Sequence, residues 1–207
     1  MGARKKEALE QFNRNNILSA AKELFETKGV ENTTVDDIAK LADYSKSTIY
    51  VYFKSKEDIY NSIVRDYISV LANEIEISIE SEKDFEDGYY KMCDCLVSFE
   101  EKYPKYYSTL MGEENSTNSR KKPMELATGD NELNDVLRRF LTKGVNEKIL
   151  RTDMDIQPAV LYVWSAISGI IQVAERKRDS IDQNFKMTKE EYLRYSFRTF
   201  YDSLIRR

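Results

Sequence analysis

The chain has 207 residues, of which 41% are hydrophobic and 33% charged, and its formal net charge is −4. This length is enough for a small domain and a larger one, each with its own core. The sequence has no histidine, which excludes Ser-His-Asp and Cys-His catalysis and the usual zinc-protease motif, and its seven glycines form no phosphate-binding loop. We therefore expect neither an enzyme nor a cofactor or metal site.

The polar first residues, the lengths of the apolar runs and the two cysteines indicate the cellular compartment of the protein. The first residues are polar and no apolar run approaches the roughly 20 residues of a membrane span, so we expect a cytoplasmic protein without membrane contact. Cys93 and Cys95 lie two apart on a predicted helix, and their side chains therefore suit neither chelation nor an internal disulfide. We interpret them as core residues, and the alternatives are a thiol redox sensor and, less favoured, a site for a soft metal.

The first predicted helix is amphipathic. Its apolar residues recur at helical spacing and are Ile17, Ala20, Ala21, Leu24 and Phe25. Gly29 follows as a candidate C-cap. The second helix starts at Thr34, an N-cap candidate with an acid, Asp37, three residues further on.

The third predicted helix faces outward on most sides. Asp43 supplies a tight turn before it, Ser45 is its N-cap candidate, and Ile49 and Phe53 lie four apart on its buried face. Its other sides carry the hydrogen-bond donors Lys46, Ser47, Thr48, Tyr50 and Tyr52. Two short helices joined by a tight turn, with donors on the second, are typical of a DNA-reading helix-turn-helix.

Residues 13–53 and the following KSKEDIYNSIV resemble the N-terminal domain of the TetR family of repressors. The family's run is close to A-G-V-S-x-x-T-[LI]-Y-x-[YH]-F-x-x-K, and the matching positions are Ala42, Ser45, Thr48, Ile49, Tyr50, Tyr52, Phe53 and Lys56. Asp43 replaces the customary glycine, and Asp enters the left-handed region more readily than most residues. Tyr44 replaces a small aliphatic residue.

The resemblance implies DNA contacts for seven residues. Phosphate contacts are implied for Thr34 and Lys56. Contacts to base edges are implied for Lys46, Ser47 and Thr48. Contacts to the DNA backbone or a thymine methyl are implied for Tyr50 and Tyr52, and packing against a neighbouring helix is the alternative for these two.

A basic segment precedes the first predicted helix. It consists of Arg4, Lys5 and Lys6. We interpret it as an arm that contacts DNA or, alternatively, as a disordered end.

The remainder is predicted to be helical, which makes the fold class all-α. Helices are predicted over residues 56–80, 84–103, 105–111, 133–150, 158–177 and 188–207, with a polar loop at 112–123. We divide the chain into a DNA-binding helix-turn-helix domain, 1–55, and a larger helical domain for ligand binding and dimerisation, 56–207.

The last two predicted helices differ from the others. Apolar residues lie nearly all round the helix that follows Pro158, so it needs cover on more than one face. The final helix carries the stripe Leu193, Phe197, Phe200 and Leu204. The resemblance implies that these helices form a four-helix interface in a homodimer, and burial within one subunit is the alternative.

The resemblance also implies a small effector in the larger domain. Its predicted lining is aromatic and pliable and consists of Tyr89, Met92, Cys93, Leu96, Phe99, Tyr106, Tyr107, Leu110, Met111, Phe140 and Trp164. Such walls suit a lipophilic or cationic ligand, with Glu113 or Glu114 as counter-charge. For each lining residue, ordinary core packing is the alternative.

These expectations combine into one function. The chain is expected to be a homodimeric regulator of transcription, most simply a repressor, bound to an inverted-repeat operator in double-stranded DNA and released by a small effector. The alternative is a DNA-binding regulator without a small-molecule ligand, controlled by a protein partner or by thiol redox state.

Overall fold

The computed structural model describes residues 2–110 and 131–206, and the chain is all-α within these ranges. The helices there are α1 (Gly2–Thr27), α2 (Val35–Leu41), α3 (Lys46–Tyr52), α4 (Lys56–Glu80), α5 (Phe85–Lys102), α6 (Pro104–Leu110), α7 (Glu132–Asn146), α8 (Ile156–Arg176), α9 (Arg178–Phe185) and α10 (Lys189–Leu204). The predicted loop at 112–123 lies outside the described residues, as do Met111, Glu113 and Glu114.

The first compact unit, Met1–Tyr67, contains the predicted three-helix core. The apolar residues predicted for the buried side of α1 are all buried, and Ile38 of α2 and Ile49 of α3 are buried with them. Gly29 closes the helix with φ +83°, a conformation that glycine adopts without strain. The predicted C-cap is therefore confirmed.

The turn between α2 and α3 depends on a left-handed residue. Asp43 has φ +58°, and Tyr44 N then donates to Ala39 O at 2.9 Å. An Asp side chain tolerates this region better than most, which explains how it replaces glycine here. The turn fixes the direction in which α3 leaves α2.

Helix α4 belongs to both compact units of the chain. It begins at Lys56 and ends at Glu80, and the units Met1–Tyr67 and Ile68–Arg207 meet within it. The predicted domain boundary, between residues 55 and 56, is at the start of α4, whereas the compact units divide between Tyr67 and Ile68. Because α4 is one continuous helix shared by both units, the assignment of DNA binding to residues 1–55 and of ligand binding and dimerisation to residues 56–207 remains a prediction.

The second unit is organised around α8, which packs on α5, α7 and α10. Gly144 of α7 allows a close approach, since a Cβ there would lie 2.6 Å from the Phe85 ring and 2.8 Å from Leu150. Glycine inside a helix lowers helix propensity, so Gly144 is unfavourable for α7 by itself. Its function in the structure is to admit the ring of Phe85, which stacks on Phe140 with centroids 4.3 Å apart.

Two features of the C-terminal region differ from the expectations. By length and composition, α8 is able to cross a membrane, so the statement that no apolar run approaches this length was wrong. A packed core helix meets the same criteria, and α8 packs on α5, α7, α9 and α10. Helix α9 was not predicted, because Ile181 is the single buried residue of its eight.

Candidate nucleic-acid interface

The N-terminus of α2 is held by a reciprocal cap. Asp37 N donates to Thr34 Oγ1 at 3.1 Å, and Thr34 N donates to the Asp37 carboxylate at 3.0 Å. The Thr34 hydroxyl also donates to the Asp37 carboxylate at 2.7 Å, and this bond, together with the one from Thr34 N, lowers the pKa of Asp37 to about 2. Thr34 is exposed, but its hydroxyl is bonded to Asp37, and the carboxylates of Asp36 and Asp37 in the first turn of α2 oppose the approach of an anion. The phosphate contact of Thr34 remains a prediction.

The first turn of α3 presents three linked hydroxyl groups. Ser45 Oγ accepts from Thr48 N at 3.1 Å and shares hydrogen bonds with Ser47 Oγ at 2.7 Å and Thr48 Oγ1 at 2.8 Å. A hydroxyl has one donor and two acceptor positions, so these groups keep capacity for a further partner. The predicted base-reading residues Ser47 and Thr48 therefore form one polar group at the helix end.

Lys46, the predicted base-reading cation, is paired with an acid of α2. Its Nζ lies 2.7 Å from Asp36 Oδ2, and both side chains are exposed. The hydrogen bond and charge of Asp36 raise the pKa of Lys46. Sequence reasoning did not find Asp36, although an acid in the first turn of α2 was visible. The ammonium is thus held beside the turn before any DNA is bound.

An asparagine of α1 joins the turn to the recognition helix α3. Tyr44 Oη donates to Asn13 Oδ1 at 2.8 Å, and Asn13 Nδ2 donates to Tyr52 Oη at 2.9 Å. Tyr44 therefore makes a hydrogen bond that the small aliphatic residue usual at this position in the family could not make. For Tyr52 the packing alternative is the one this geometry favours, whereas Tyr50 is half exposed.

Arg14 reinforces the same junction. Its guanidinium lies 4.3 Å from the Phe53 ring centroid and donates to Ser62 Oγ at 3.0 Å and to Tyr52 O at 3.4 Å. A guanidinium stacked on a ring and hydrogen-bonded at its edge is held rigidly. The C-terminal end of α3 is therefore fixed to α1 and to the start of α4.

Lys56 is engaged with the loop that precedes α2. Its ammonium donates to Val30 O at 2.7 Å, to Thr33 O at 2.9 Å and to Glu31 O at 3.4 Å. An ammonium has three donors, and each has an acceptor here. The structure thus gives Lys56 a role in holding the loop, and its phosphate contact remains a prediction.

The basic arm is helical instead of preceding the helix. Helix α1 begins at Gly2, so Arg4, Lys5 and Lys6 are exposed residues of its first turns. Strong helix formers occupy this stretch, and Lys6 pairs with Glu10 one turn later at 3.8 Å. The expectation of an arm before the helix was therefore wrong, and its contact with DNA remains untested.

All the predicted effector residues that the structure describes are buried: Tyr89, Met92, Cys93, Leu96, Phe99, Tyr106, Tyr107, Leu110, Phe140 and Trp164. Among them, Tyr107 lies 6.4 Å from both Phe99 and Trp164, between ring centroids. Tyr107 Oη, Trp164 Nε1 and Ser168 Oγ are buried and have no hydrogen-bond partner among the described residues. This cluster is apolar with unused polar atoms.

Other predicted effector residues have different neighbours. Tyr89 Oη donates to Phe197 O at 3.0 Å, and its ring lies 5.0 Å from that of Tyr201. Phe140 stacks on Phe85 and lines a surface cavity of about 330 Å³ together with Glu76 and Arg139, which form an ion pair. The structure thus gives these residues packing roles, and their contact with an effector remains a prediction.

The two cysteines occupy different environments. Cys93 is buried, and burial raises the pKa of its thiol far above the usual range. Cys95 is less buried, with Sγ 3.3 Å from Ser78 Oγ. Because the thiolate is the reactive form, the environment of Cys93 disfavours a redox response there.

Two short helices, a tight turn and an exposed polar first turn on the second helix define a helix-turn-helix DNA-binding regulator. Residues 17–63 match the family model of bacterial regulatory proteins, tetR family. The chain is 30% identical over 152 residues to IcaR of Staphylococcus aureus, an HTH-type negative transcriptional regulator of a biofilm operon, covering 72% of this chain and 78% of that one. The chain belongs to the TetR family of transcriptional regulators.

Solved structures confirm the fold class. FadR of Bacillus subtilis, in complex with stearoyl-CoA, has a TM-score of 0.64 at 20% identity, covering 92% of this chain and 96% of that one. A TetR-family transcriptional regulator of Haemophilus influenzae has a TM-score of 0.62 at 18% identity, covering 96% and 99%. The shared architecture is an N-terminal helix-turn-helix domain followed by a larger helical domain.

Proposed function

We propose that the protein is a homodimeric repressor that binds an inverted-repeat operator and is released by a small lipophilic or cationic effector. The observation that carries the DNA-binding part is the exposed first turn of α3, with Lys46 and the linked hydroxyls of Ser45, Ser47 and Thr48. Hydroxyl and ammonium groups at this place suit base edges in a major groove. Such a protein acts in the cytoplasm, where its operator is.

Dimerisation is supported by apolar side chains on α8 and α10. Leu161, Tyr162 and Val173 of α8 and Tyr195 of α10 are large and exposed in the single chain. Large apolar side chains that are exposed on two packed helices are typical of a subunit interface. A twofold axis would set two copies of α3 about 34 to 36 Å apart, so that they enter successive major grooves.

Repression and effector release are supported by the relatives and by the core. IcaR is a negative regulator, and FadR of similar fold binds stearoyl-CoA. In this chain the aromatic cluster around Tyr107 and Trp164 has unused donors, which suit a lipophilic compound with an acceptor oxygen; its aromatic faces suit a cation. An effector acts by binding more tightly to the form that does not bind DNA.

The test is selection of duplexes from a random library by the purified protein, followed by footprinting on the selected site. We expect protection of a short inverted repeat by one dimer or a pair of dimers. An asymmetric single half-site would contradict the homodimer. Candidate lipophilic and cationic compounds are then added to the complex, and release of DNA is measured against concentration.

The alternative is a regulator without a small-molecule ligand, controlled by a protein partner or by thiol redox state. It is supported by the packing partners that two of the predicted effector residues already have, since Phe140 stacks on Phe85 and Tyr89 lies against Tyr201. Burial and the raised pKa of Cys93 disfavour redox control through that thiol, so Cys95 is the cysteine through which redox control would act. A compound that releases the operator at a defined stoichiometry would exclude this alternative.

A further inference from the structure

The ion pair between α2 and α3 lies where two helix ends meet. Asp36 is in the first turn of α2, and Lys46 is the first residue of α3. Asp36 Oδ2 and Lys46 Nζ are 2.7 Å apart, and both side chains are more than half exposed. A cation at a helix N-terminus is unfavourable with the helix dipole. The negative charge of Asp36 offsets this unfavourable interaction of Lys46 with the dipole of α3. The same charge lies beside Lys46, the residue predicted to read bases.

The pair leaves part of the ammonium unused. A lysine ammonium has three N–H donors, of which Asp36 takes one at this distance. The other two are available to a guanine, whose O6 and N7 are adjacent acceptors on the major-groove edge. A guanine edge is uncharged, whereas a phosphate carries a full negative charge that the Asp36 carboxylate repels. The pair therefore discriminates between the two kinds of acceptor.

We propose that Asp36 is a positioning residue for sequence discrimination: it keeps Lys46 from phosphates and leaves it available to a base edge. This rests on the proposed reading of DNA by α3. Asp36 consequently weakens binding to unrelated sequences more than binding to the operator. An exposed pair is weak enough to adjust when a better acceptor is present, so Asp36 does not block the cognate contact.

The test compares the wild type with Asp36→Asn on two duplexes. One duplex is selected by the wild type from a random library, and the other is a scrambled sequence of the same length and composition. Each phosphate neutralised adds about 0.9 to the salt slope, which is a factor of about eight at 0.1 M salt relative to 1 M. For Asp36→Asn we expect up to about eightfold tighter binding to the scrambled duplex, a steeper slope there and less than about twofold change on the selected duplex.

A double-mutant cycle separates positioning from general charge. Each base pair of the selected half-site is exchanged in turn, and preference is measured for the wild type, Asp36→Asn, Lys46→Ala and the double variant. We expect Asp36→Asn to weaken preference at the base pair that Lys46→Ala also affects, with no further loss in the double variant. Glu26→Gln, an equal change of charge at an exposed site of α1, should leave preference unchanged.

The outcomes are distinct. The inference is overturned if Asp36→Asn and Glu26→Gln increase affinity for the scrambled duplex equally. It is also overturned if Asp36→Asn leaves the ratio of affinities for the selected and scrambled duplexes unchanged. In both cases the proposed reading of DNA by α3 stands. An effect of Asp36→Asn on base preference in the Lys46→Ala background means that Asp36 contacts DNA itself, which also overturns it. A wild type that does not distinguish selected from scrambled duplexes overturns the proposed function instead. Thermal unfolding of each variant confirms that α2 is intact.

Discussion

Two lysines of the helix-turn-helix have opposite surroundings. Lys46 is exposed and paired with a carboxylate, while Lys56 is half-buried and donates to three backbone carbonyls. The first arrangement is weak and adjustable, because exposed ion pairs contribute about 0 to 1 kcal/mol. The second ties three carbonyls of the loop before α2 to the first residue of α4. We therefore expect substitutions at the two positions to act on different properties.

Lys56→Ala should lower the free energy of unfolding by about 1 to 2 kcal/mol, because it removes the ammonium donor from Thr33 O and one of the two donors from Val30 O. Urea unfolding followed by circular dichroism measures this. Lys54→Ala, at an exposed neighbour, is the control and should have little effect. If Lys56→Ala left stability unchanged but reduced DNA affinity and lowered the salt slope by about one, the phosphate role would be the correct one.

The capping box of α2 predicts a pH dependence. The folded-state pKa of Asp37 is depressed to about 2 from 3.8, first by the hydrogen bonds from Thr34. A depressed pKa means that the cap stabilises the fold above the unfolded value, and that this contribution is lost as pH falls through about 4 to about 2. Carbon-detected titration of the carboxyl group should show the low pKa, and Thr34→Ala should return it towards 3.8. An ordinary pKa in the wild type would rule out the cap in solution.

At the scale of elements, Gly144 of α7 decides a helix packing. Gly144→Ala removes the low helix propensity of glycine, worth about 1 kcal/mol, but it places a Cβ 2.6 Å from the Phe85 ring. Overpacking of this kind costs about 1 to 3 kcal/mol, so we expect a net loss of stability. Gly88→Ala is the control, because its Cβ would meet Phe140 at 3.4 Å. Thermal unfolding of both variants should show a lower midpoint for Gly144→Ala alone.

Sequence periodicity was sufficient for the long helices and insufficient for contacts across the chain. Helix α1 follows an apolar stripe that is buried as predicted, and the helices α4 and α5 were predicted as elements, because one buried face is enough to specify a long helix. Helix α9 has a single buried apolar residue and therefore no stripe. The partners of Lys46 and Asn13 were missed because contacts between different helices, or between a helix and the turn, have no local sequence pattern. The described candidate effector residues are buried. Periodicity predicts burial both for core residues and for residues that line an enclosed cavity, so it does not distinguish the two.

At the scale of the whole molecule, the interface on α8 and α10 is open to a direct test. Leu161→Glu places a charge among apolar groups of the proposed interface, where it lacks a partner. We expect the dissociation constant of the dimer to rise at least about tenfold, or ~1.4 kcal/mol, measured by sedimentation equilibrium. Ile77→Glu, at an exposed position of α4, is the matched control and should leave the dimer intact. Equal effects of the two would contradict this interface.

The only tryptophan reports on the core of the second unit. Trp164 is buried, with its ring 6.4 Å from that of Tyr107, so its emission should be blue-shifted and should move to the red on unfolding. An effector bound beside it should quench or shift this emission over the concentration range that releases DNA, since the two equilibria are linked. Release without any change in emission would place the effector elsewhere, and the predicted lining residues would then be withdrawn.

The hydrogen-bonded link from Tyr44 through Asn13 to Tyr52 has an evolutionary consequence. A small aliphatic residue at position 44 would remove the donor to the Asn13 carbonyl oxygen, at a cost of about 1 to 3 kcal/mol if no water replaces it. Selection for stability then favours changing both positions together. Positions 13 and 44 should therefore co-vary among family members although they are 31 residues apart, and a change at either one should alter which substitutions the other tolerates.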